Sequence, residues 1–258
     1  MMNKIIIEND KIIESDLDYQ IDSNSIFNIQ EICFNIKKDM DLKLTININK
    51  ETKNIICFNI FDDVALNLSI LTSGEFSKIQ YKYHLGFNAH CNIEKLNIVN
   101  GISEMIIANI DEGSSFNYLF KSIASNKENY DYMIYHDGKN SSSNIINHSI
   151  NENGSIYYQI SSFIPQKMVG CSANQYNRII NLTNNKCEIR PDLYIDCDDV
   201  SANHSALIDK FSDKELFYLK SRGINEEMAN KLLMKGFLMS KLNNQELIDL
   251  IQERYGGE

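Results

Sequence analysis

From Ile5 to about Ile208 the chain is a succession of short stretches in which apolar and polar residues alternate. Ile, Phe, Tyr and Thr are abundant in these stretches, and Asn, Asp, Gly or Ser bounds each of them. Because side chains alternate between the two faces of a β-strand, this period of two predicts many strands with one buried face. The chain has only 2 prolines, so almost nothing interrupts sheet hydrogen bonding. These features predict a mainly β fold.

The predicted strands follow one another at intervals of about ten residues, as in sandwiches, barrels and β-helices, which periodicity alone does not distinguish. Weakly similar segments such as NIICFNI (54–60) and RIINLTN (178–184) favour the β-helix, in which each rung covers the edge of its neighbour. No fixed repeat length is visible. The predicted strands are residues 42–48, 54–61, 64–71, 77–87, 91–99, 103–110, 115–123, 130–136, 143–150, 155–163, 177–183 and 192–198.

A helical period replaces the alternation near residues 207–211, where the sheet is predicted to end. We therefore divide the chain into a β-helical core domain, 1–208, and a C-terminal helical domain, 209–258. Three helices are predicted from their capping residues: 213–222 behind a Ser212/Glu215 capping box and before Gly223, Asn225 to about Met239, and Asn243 or Asn244 to just before Gly256.

Charge and hydropathy exclude several classes of partner. Lys and Arg number 25 against 35 Asp and Glu, and the resulting net charge of −10 repels a nucleic-acid backbone. The first residues contain only three consecutive isoleucines, and no later run approaches the ~20 apolar residues of a membrane span. We expect a cytoplasmic protein that binds neither nucleic acid nor membrane. Its six cysteines should stay reduced there, and the lack of a CxxC pair disfavours a structural zinc site.

Three segments near the C-terminus carry a specific resemblance. RPDLYIDCDDVSANHSAL (190–207), ELFYLKSRGI (215–224) and ANKLLMKGF (229–237) resemble, in order and spacing, the SufB/SufD proteins of the SUF iron–sulfur cluster assembly system. The resemblance is clear from Asn177 to Phe237 and fades toward the N-terminus. The chain is short for this family, which favours its compact, SufD-like form.

The resemblance implies both a fold and a role. Its fold is a right-handed parallel β-helix, and its role is that of an assembly scaffold, not an enzyme. ATP would be hydrolysed by a partner, a SufC-like ABC ATPase, and the iron–sulfur cluster would be a transient cargo with no permanently bound cofactor. Members of the family pair edge to edge at the C-terminal end of the sheet, which predicts a homodimer or a dimer with a SufB- or SufD-like paralogue.

His204 is the first candidate for cluster assembly, because it matches the SufD histidine of the DDVxxxH segment. Without the resemblance, a hydrogen-bonding histidine at the last rung is the simpler interpretation. Two departures are visible: Ser205 stands where SufB-like members carry glutamate, and the SufB assembly cysteine expected near Asn177 is absent. The local chemistry is therefore SufD-like, or the ligand set differs.

The cysteines nearest this segment are the next candidates. Cys171 follows Gly170 in a predicted loop and is the better candidate thiol, with Cys187 second. Cys197 shares the parity of Leu193 and is predicted to be a small buried side chain. The remaining cysteines lie in strand-like runs and are predicted to belong to the core: Cys33, Cys57 and Cys91.

The helical tail is predicted to dock the ATPase through Phe217, Tyr218, Arg222 and Phe237, while most of its apolar residues pack on the sheet. Its GI-x4-A-x2-LL-x2-GF pattern also fits a three-helix module of the ubiquitin-associated kind. That alternative does not explain His204 and the residues before it.

A β-solenoid carbohydrate-active or adhesive protein is the alternative from another functional class. The adjacent carboxylates at 62–63 and 198–199 are its only candidate catalytic pairs, and on a strand such neighbours point to opposite faces. The chain shows no P-loop, nucleophile elbow or GxGxxG motif. ATP binding by this chain is therefore not expected.

Overall fold

The computed structural model of the protein describes residues 2–24 and 29–256. The chain alternates between two sheets that enclose one hydrophobic core, forming a parallel β-solenoid of about seven turns. The predicted mainly β fold with a β-helix core is confirmed. Only β1 with β2 and β3 with β4, at the N-terminal end, pair antiparallel among the described strands.

Apart from β2 and β3, the odd-numbered strands form one sheet and the even-numbered strands form the other. The nine-stranded sheet, in the order β17-β15-β13-β11-β9-β7-β5-β1-β2, consists of β1 (Asn3–Glu8), β2 (Lys11–Ser15), β5 (Met40–Ile48), β7 (Ala65–Gly74), β9 (His90–Val99), β11 (Ser115–Ala124), β13 (Ser142–Asn151), β15 (Cys171–Asn181) and β17 (Val200–Asp209). The eight-stranded sheet, in the order β16-β14-β12-β10-β8-β6-β4-β3, consists of β3 (Tyr19–Asn24), β4 (Ile29–Ile36), β6 (Thr52–Ile60), β8 (Ser77–Leu85), β10 (Ile102–Ile110), β12 (Lys127–His136), β14 (Ser155–Ile164) and β16 (Cys187–Ile195).

Stacked asparagines on the outer face reveal the rung length. The Asn92 side chain donates to Asn67 at 3.0 Å and Asn117 donates to Asn92 at 2.9 Å, each 25 residues along the chain. Later rungs are longer, since the stacked Asn147 and Asn177 are 30 residues apart. This drift explains why no repeat is visible in the sequence, and these asparagines lie in strands instead of the turns that the sequence suggested.

Aromatic rings stack from rung to rung inside the solenoid. Phe34, Phe58 and Tyr83 occupy matching positions on β4, β6 and β8, and their ring centroids are 5.5 and 5.6 Å apart. Such offset pairs contribute about 0.5–1.5 kcal/mol beyond the burial of their area. They also favour this alignment of the strands, because a shift by one residue would turn the rings to the other face.

Three helices follow the last strand, as predicted. The Ser212/Glu215 capping box is present, and Gly223 has a φ of 83° after the first helix. Side chains of Asn225 and Asn244 cap the second and third helices. None of the helices in the described part of the chain is long and apolar enough to span a membrane. The helices are α1 (Asp213–Ser221), α2 (Glu226–Met239) and α3 (Gln245–Tyr255).

The tail packs against the outer face of the nine-stranded sheet near the ends of its strands. Four outward-facing sheet residues and five tail residues share a hydrophobic cluster that is separate from the interior core. The division into domains at 208 remains a prediction, although β17 ends at Asp209. The cluster comprises Leu96, Ile123, Ile150 and Ile180 of the sheet with Leu238, Leu242, Leu247, Ile251 and Tyr255 of the tail.

Several predicted boundaries and placements are wrong. β17 was not predicted as a strand, although Val200, Ala202, Ala206 and Ile208 alternate along it. β15 begins at 171 instead of 177, and β16 covers 187–195 instead of 192–198. The Asp pairs at 62–63 and 198–199 lie in turns and not on strands. The alternation marks faces of strands correctly, but it does not locate the corners where long rungs bend.

Candidate functional site

The C-terminal end of the solenoid is open. β17 pairs with β15 on one side, and no strand of the described chain pairs with its other edge. His204 lies in register with Gln175 on β15 and therefore faces the interior side of the sheet. Gln175 is fully buried, whereas His204 is exposed, because no further rung covers it. An imidazole on the interior face of an uncovered rung is accessible to a bound group.

Polar side chains line the interior just behind this rung. The Gln175 amide donates to Ser162 Oγ at 2.9 Å and to the Asp192 carbonyl at 3.2 Å. Asn177 donates to the Ser205 carbonyl on β17 at 3.2 Å. These bonds hold β14, β15, β16 and β17 together where the core ends. They place polar groups at the open end, beside the apolar cluster of Ile164, Cys171 and Ala173.

Cys171 does not lie in a loop, contrary to the prediction. It is the first residue of β15, is 1% exposed, and lies 3.3 Å from both the Gly138 carbonyl and Ser141 Oγ. It pairs in register with Val200, four residues before His204, a separation of about 13 Å along a strand. The thiol is enclosed, so it does not face the open end together with the imidazole.

Cys187 lies at the edge of the solenoid's cross-section opposite to Cys171. It begins β16, which follows the turn after β15, and it is half-buried. Asn151 Nδ2 lies 3.4 Å from its sulfur, and burial raises the pKa of the thiol. Within residues 2–24 and 29–256, His204 and these two cysteines do not form a group close enough to hold one ion. A cluster bound at His204 therefore needs ligands from elsewhere.

Cys197 is half-buried and packs against the apolar group around Cys171, as expected of a small packing residue. Cys91 is fully buried in the core, as predicted. Cys33 and Cys57 are different: their parity on β4 and β6 places them on the outer face, where Cys57 is buried as predicted but Cys33 is only half-buried. The apolar neighbours on both sides made the two faces look alike in sequence.

Three of the predicted docking residues form an exposed patch on the first helix and its C-cap residue. Phe217 is 74% and Tyr218 58% exposed, and the Arg222 guanidinium lies 5.4 Å from the Tyr218 ring centroid. α1 has no buried residue. A partly solvated aromatic and arginine surface of this kind is typical of protein interfaces.

Phe237 differs from these three. Its ring stacks on the ring of His148 on β13, with centroids 4.7 Å apart. The guanidinium carbon of Arg178 on β15 lies 5.4 Å from the centroid of the Phe237 ring. Burial, together with nearby cations, lowers the pKa of His148 to about 3. Lys121 Nζ lies 2.8 Å from His148 Nδ1 and 2.9 Å from the Ser240 carbonyl. Phe237 therefore belongs to the interface between the helical tail and the solenoid. This interface was not predicted from the sequence.

A second buried polar group lies inside the middle rungs. Lys95 and Glu104 form an ion pair that is inaccessible to solvent, and Tyr118 donates to the same carboxylate at 3.1 Å. Burial lowers the pKa of Lys95, against the opposing effect of Glu104. Burial also raises the pKa of Glu128 to about 7, despite hydrogen bonds from Ser122 and Tyr130. Interior-facing charges such as Lys95 were not singled out from the sequence.

A protein-family model described as "SUF system FeS cluster assembly, SufBD core domain" matches residues 76–237. This stretch is more than half of the chain and includes the last rung, α1 and α2 up to Phe237. The chain therefore belongs to the SufBD family of the SUF system.

Curated relatives agree with this assignment. The chain is similar to the iron–sulfur cluster assembly protein SufD of Bacillus subtilis, with 31% identity over 137 residues, which are 49% of this chain and 31% of that protein. A SufBD family protein of Mycobacterium leprae is 41% identical over 76 residues (29% and 19%), and one of Staphylococcus epidermidis 33% over 130 residues (49% and 28%). The matched stretch is less than a third of each relative's length.

Proposed function

We propose that the protein is a scaffold subunit of a SUF-type iron–sulfur cluster assembly complex, and that the cluster is built at the open last rung. The observation that carries the proposal is the exposed, interior-facing imidazole of His204 on the edge strand β17. Neutral imidazole is a good iron ligand, and a site that passes its cluster on must stay accessible. The cluster is a substrate of this site, with no permanently bound cofactor.

A dimer would complete this site. The far edge of β17 offers unpaired backbone groups, and Leu207 and Ile208 are 47% and 42% exposed beside it. An exposed edge of this length favours pairing with another chain. A second copy, or a SufB- or SufD-like paralogue, would bring further ligands to His204, since Cys171 is enclosed and Cys187 is distant. Of the two thiols, half-buried Cys187 is the easier one to uncover.

The exposed patch of Phe217, Tyr218 and Arg222 is the surface we assign to a SufC-like ABC ATPase. The chain contains no P-loop of its own, so it would act as a scaffold and not as an enzyme, with ATP hydrolysed by the partner. We place the complex in the cytoplasm, where thiols and clusters stay reduced. One family match covering both strands and helices favours this function over the carbohydrate-active and ubiquitin-associated alternatives.

Anaerobic reconstitution tests the cluster site. The full chain, alone and mixed with a SufB-like paralogue, is incubated with iron and sulfide, and cluster formation is read by visible absorption. His204→Ala should lower the cluster yield severalfold with little change in melting temperature. His90→Ala, which removes another exposed histidine from the outer face, should leave the yield unchanged. Normal yield in His204→Ala would overturn the assignment.

Two interaction measurements test the surfaces. Leu207→Lys should shift the mass in solution from dimer to monomer, and a wild-type chain that stays monomeric with and without a paralogue would contradict the pairing. Arg222→Glu should weaken capture of a SufC-like ATPase at least tenfold, whereas Lys53→Glu, the same charge reversal on distant β6, should not. Equal capture by both variants would remove Arg222 from the interface.

A further inference from the structure

Two cysteines and a carboxylate meet on the outer face of the eight-stranded sheet. Cys33 on β4 lies in register with Cys57 on β6, and Cys57 lies in register with Lys82 on β8. Glu31 precedes Cys33 by two residues and so shares its face of the strand. Residues far apart in sequence are thereby placed side by side, and Glu31 and the two cysteines belong to a part of the chain that precedes the family match at 76–237.

The ligand atoms of this group are already close. One carboxylate oxygen of Glu31 and the sulfurs of Cys33 and Cys57 all lie within 4.8 Å of one another. Sulfurs bound to one tetrahedral zinc ion, at metal–sulfur distances of about 2.3 Å, are themselves about 4 Å apart. Side-chain displacements of about an ångström therefore bring the three atoms to the separations that one bound ion requires.

The group is shielded by an ion pair that crosses over β6. Lys82 Nζ lies 2.8 and 2.9 Å from the two oxygens of Glu31, although the two residues belong to strands on either side of β6. Beneath it, Cys57 is only 4% exposed, whereas Glu31 and Lys82 keep 25% and 28% of their side-chain surface. Cys57 is thus an outward-facing thiol that lies beneath a polar ion pair.

We propose that Glu31, Cys33 and Cys57 form a binding site for one thiophilic divalent cation of the zinc type. Two thiolates and one carboxylate suit such a cation and not Mg²⁺ or Ca²⁺, which prefer oxygen ligands alone. Three protein ligands leave the fourth tetrahedral position to water or to an exogenous ligand. The site is separate from His204 and stands whether or not the open end assembles clusters.

The charges of this site balance when the ion is bound. Two thiol protons leave to solvent, and one Glu31 oxygen exchanges the Lys82 ammonium for the metal, while the other oxygen keeps its hydrogen bond. Two thiolates, one carboxylate and a divalent cation sum to one negative charge, which Lys82 neutralises. A half-buried neutral assembly avoids the desolvation cost of an unpaired charge.

Cobalt titration tests the proposal with a spectroscopic readout. The full chain, reduced and kept anaerobic, is titrated with Co²⁺, and we expect thiolate-to-cobalt charge transfer with intense tetrahedral d–d bands that saturate at one equivalent and vanish on addition of Zn²⁺. Cys33→Ser and Cys57→Ser should abolish the charge-transfer band, and Glu31→Gln should weaken binding at least tenfold. Cys197→Ser, a half-buried cysteine elsewhere, and His204→Ala should bind as the wild type does.

Three results would overturn the assignment: no charge-transfer band in the wild type, an unchanged band in the Cys33 and Cys57 variants, or loss of the band in His204→Ala. A Cys33–Cys57 disulfide detected by mass spectrometry, with no binding after reduction, would equally show a redox pair and not a metal site. Circular dichroism accompanies each variant. If Cys57→Ser fails to fold, the less buried Cys33→Ser carries the test.

Discussion

Gln175 and His204 occupy the same interior position on adjacent strands, yet one is fully buried and the other exposed. The cause is the next rung, which covers Gln175 and is missing above His204. In a solenoid, burial is supplied by the neighbouring rung and not by the residue's own pattern. The same alternation therefore makes core in the middle of this protein and an accessible polar surface at its end.

The middle rungs use this enclosure to hold charges. Lys95 and Glu104 are both inaccessible to solvent and depend on each other and on surrounding hydroxyls. At the open end, water solvates the exposed groups, so an unpaired imidazole costs little there. The following predictions test this contrast between enclosed and open rungs, beginning with the largest expected effect.

Removing one partner of the enclosed ion pair should be the most damaging change. Glu104→Ala leaves the Lys95 ammonium buried and unpaired, and should lower the free energy of unfolding by about 3–5 kcal/mol in chemical denaturation. The double variant Lys95→Met with Glu104→Leu should recover most of this loss, because apolar side chains suit the same interior. If Glu104→Ala lowered the free energy of unfolding by no more than about 1 kcal/mol, the typical effect of a point substitution, water would have to reach the pair.

Glu128 should make the enclosed rungs less stable as the pH rises. Its pKa of about 7 lies above the ordinary value of 4.5, so the folded state binds the extra proton and the stabilisation is lost as pH increases through 7. Relative to Glu128→Gln, the wild type should lose about 3 kcal/mol of unfolding free energy between pH 4.5 and values above 7. The contributions of His136 and His148 to the pH dependence are the same in both proteins and cancel in the difference. A difference that is constant with pH would contradict the enclosure.

The register-matched pair gives the most direct comparison. Gln175→Ala removes two buried hydrogen bonds and should cost about 1–3 kcal/mol, whereas His204→Ala should stay within about 0.5 kcal/mol of wild type. Thermal or chemical unfolding of the two variants side by side measures both. A larger loss for His204→Ala would mean that its ring serves the fold, and would favour the hydrogen-bonding interpretation of this histidine.

The tail repeats the contrast on a smaller scale. Phe237→Ala removes a half-buried ring from His148 and should cost about 1–2 kcal/mol, while Phe217→Ala, at 74% exposure, should change stability by less than about 0.5 kcal/mol. The melting temperatures of the two variants measure the difference, and circular dichroism checks that both keep the helix content of the wild type. Similar losses for both phenylalanines would place Phe217 in a packed contact instead of on an open docking surface.

Local rules in the sequence determined the class of fold and the helix boundaries. The period of two predicted the strands, and side chains three residues apart, such as Ser212 and Glu215, predicted where the helices start. The family could also be recognised, since the DDVxxxH segment and the tail motifs are contiguous. These features depend on neighbours along the chain, so no long-range information is needed to find them.

The tertiary structure alone decided which faces are closed and which residues meet. Rungs of 25 to 30 residues set the register, which joins Cys33 to Cys57, buries Cys171, exposes His204 and brings Lys121 to Ser240 over 119 residues of chain. A period of two gives each strand two faces without saying which one is covered. The tail and the next rung cover them selectively, and burial, pKa and access to the site all follow from that packing.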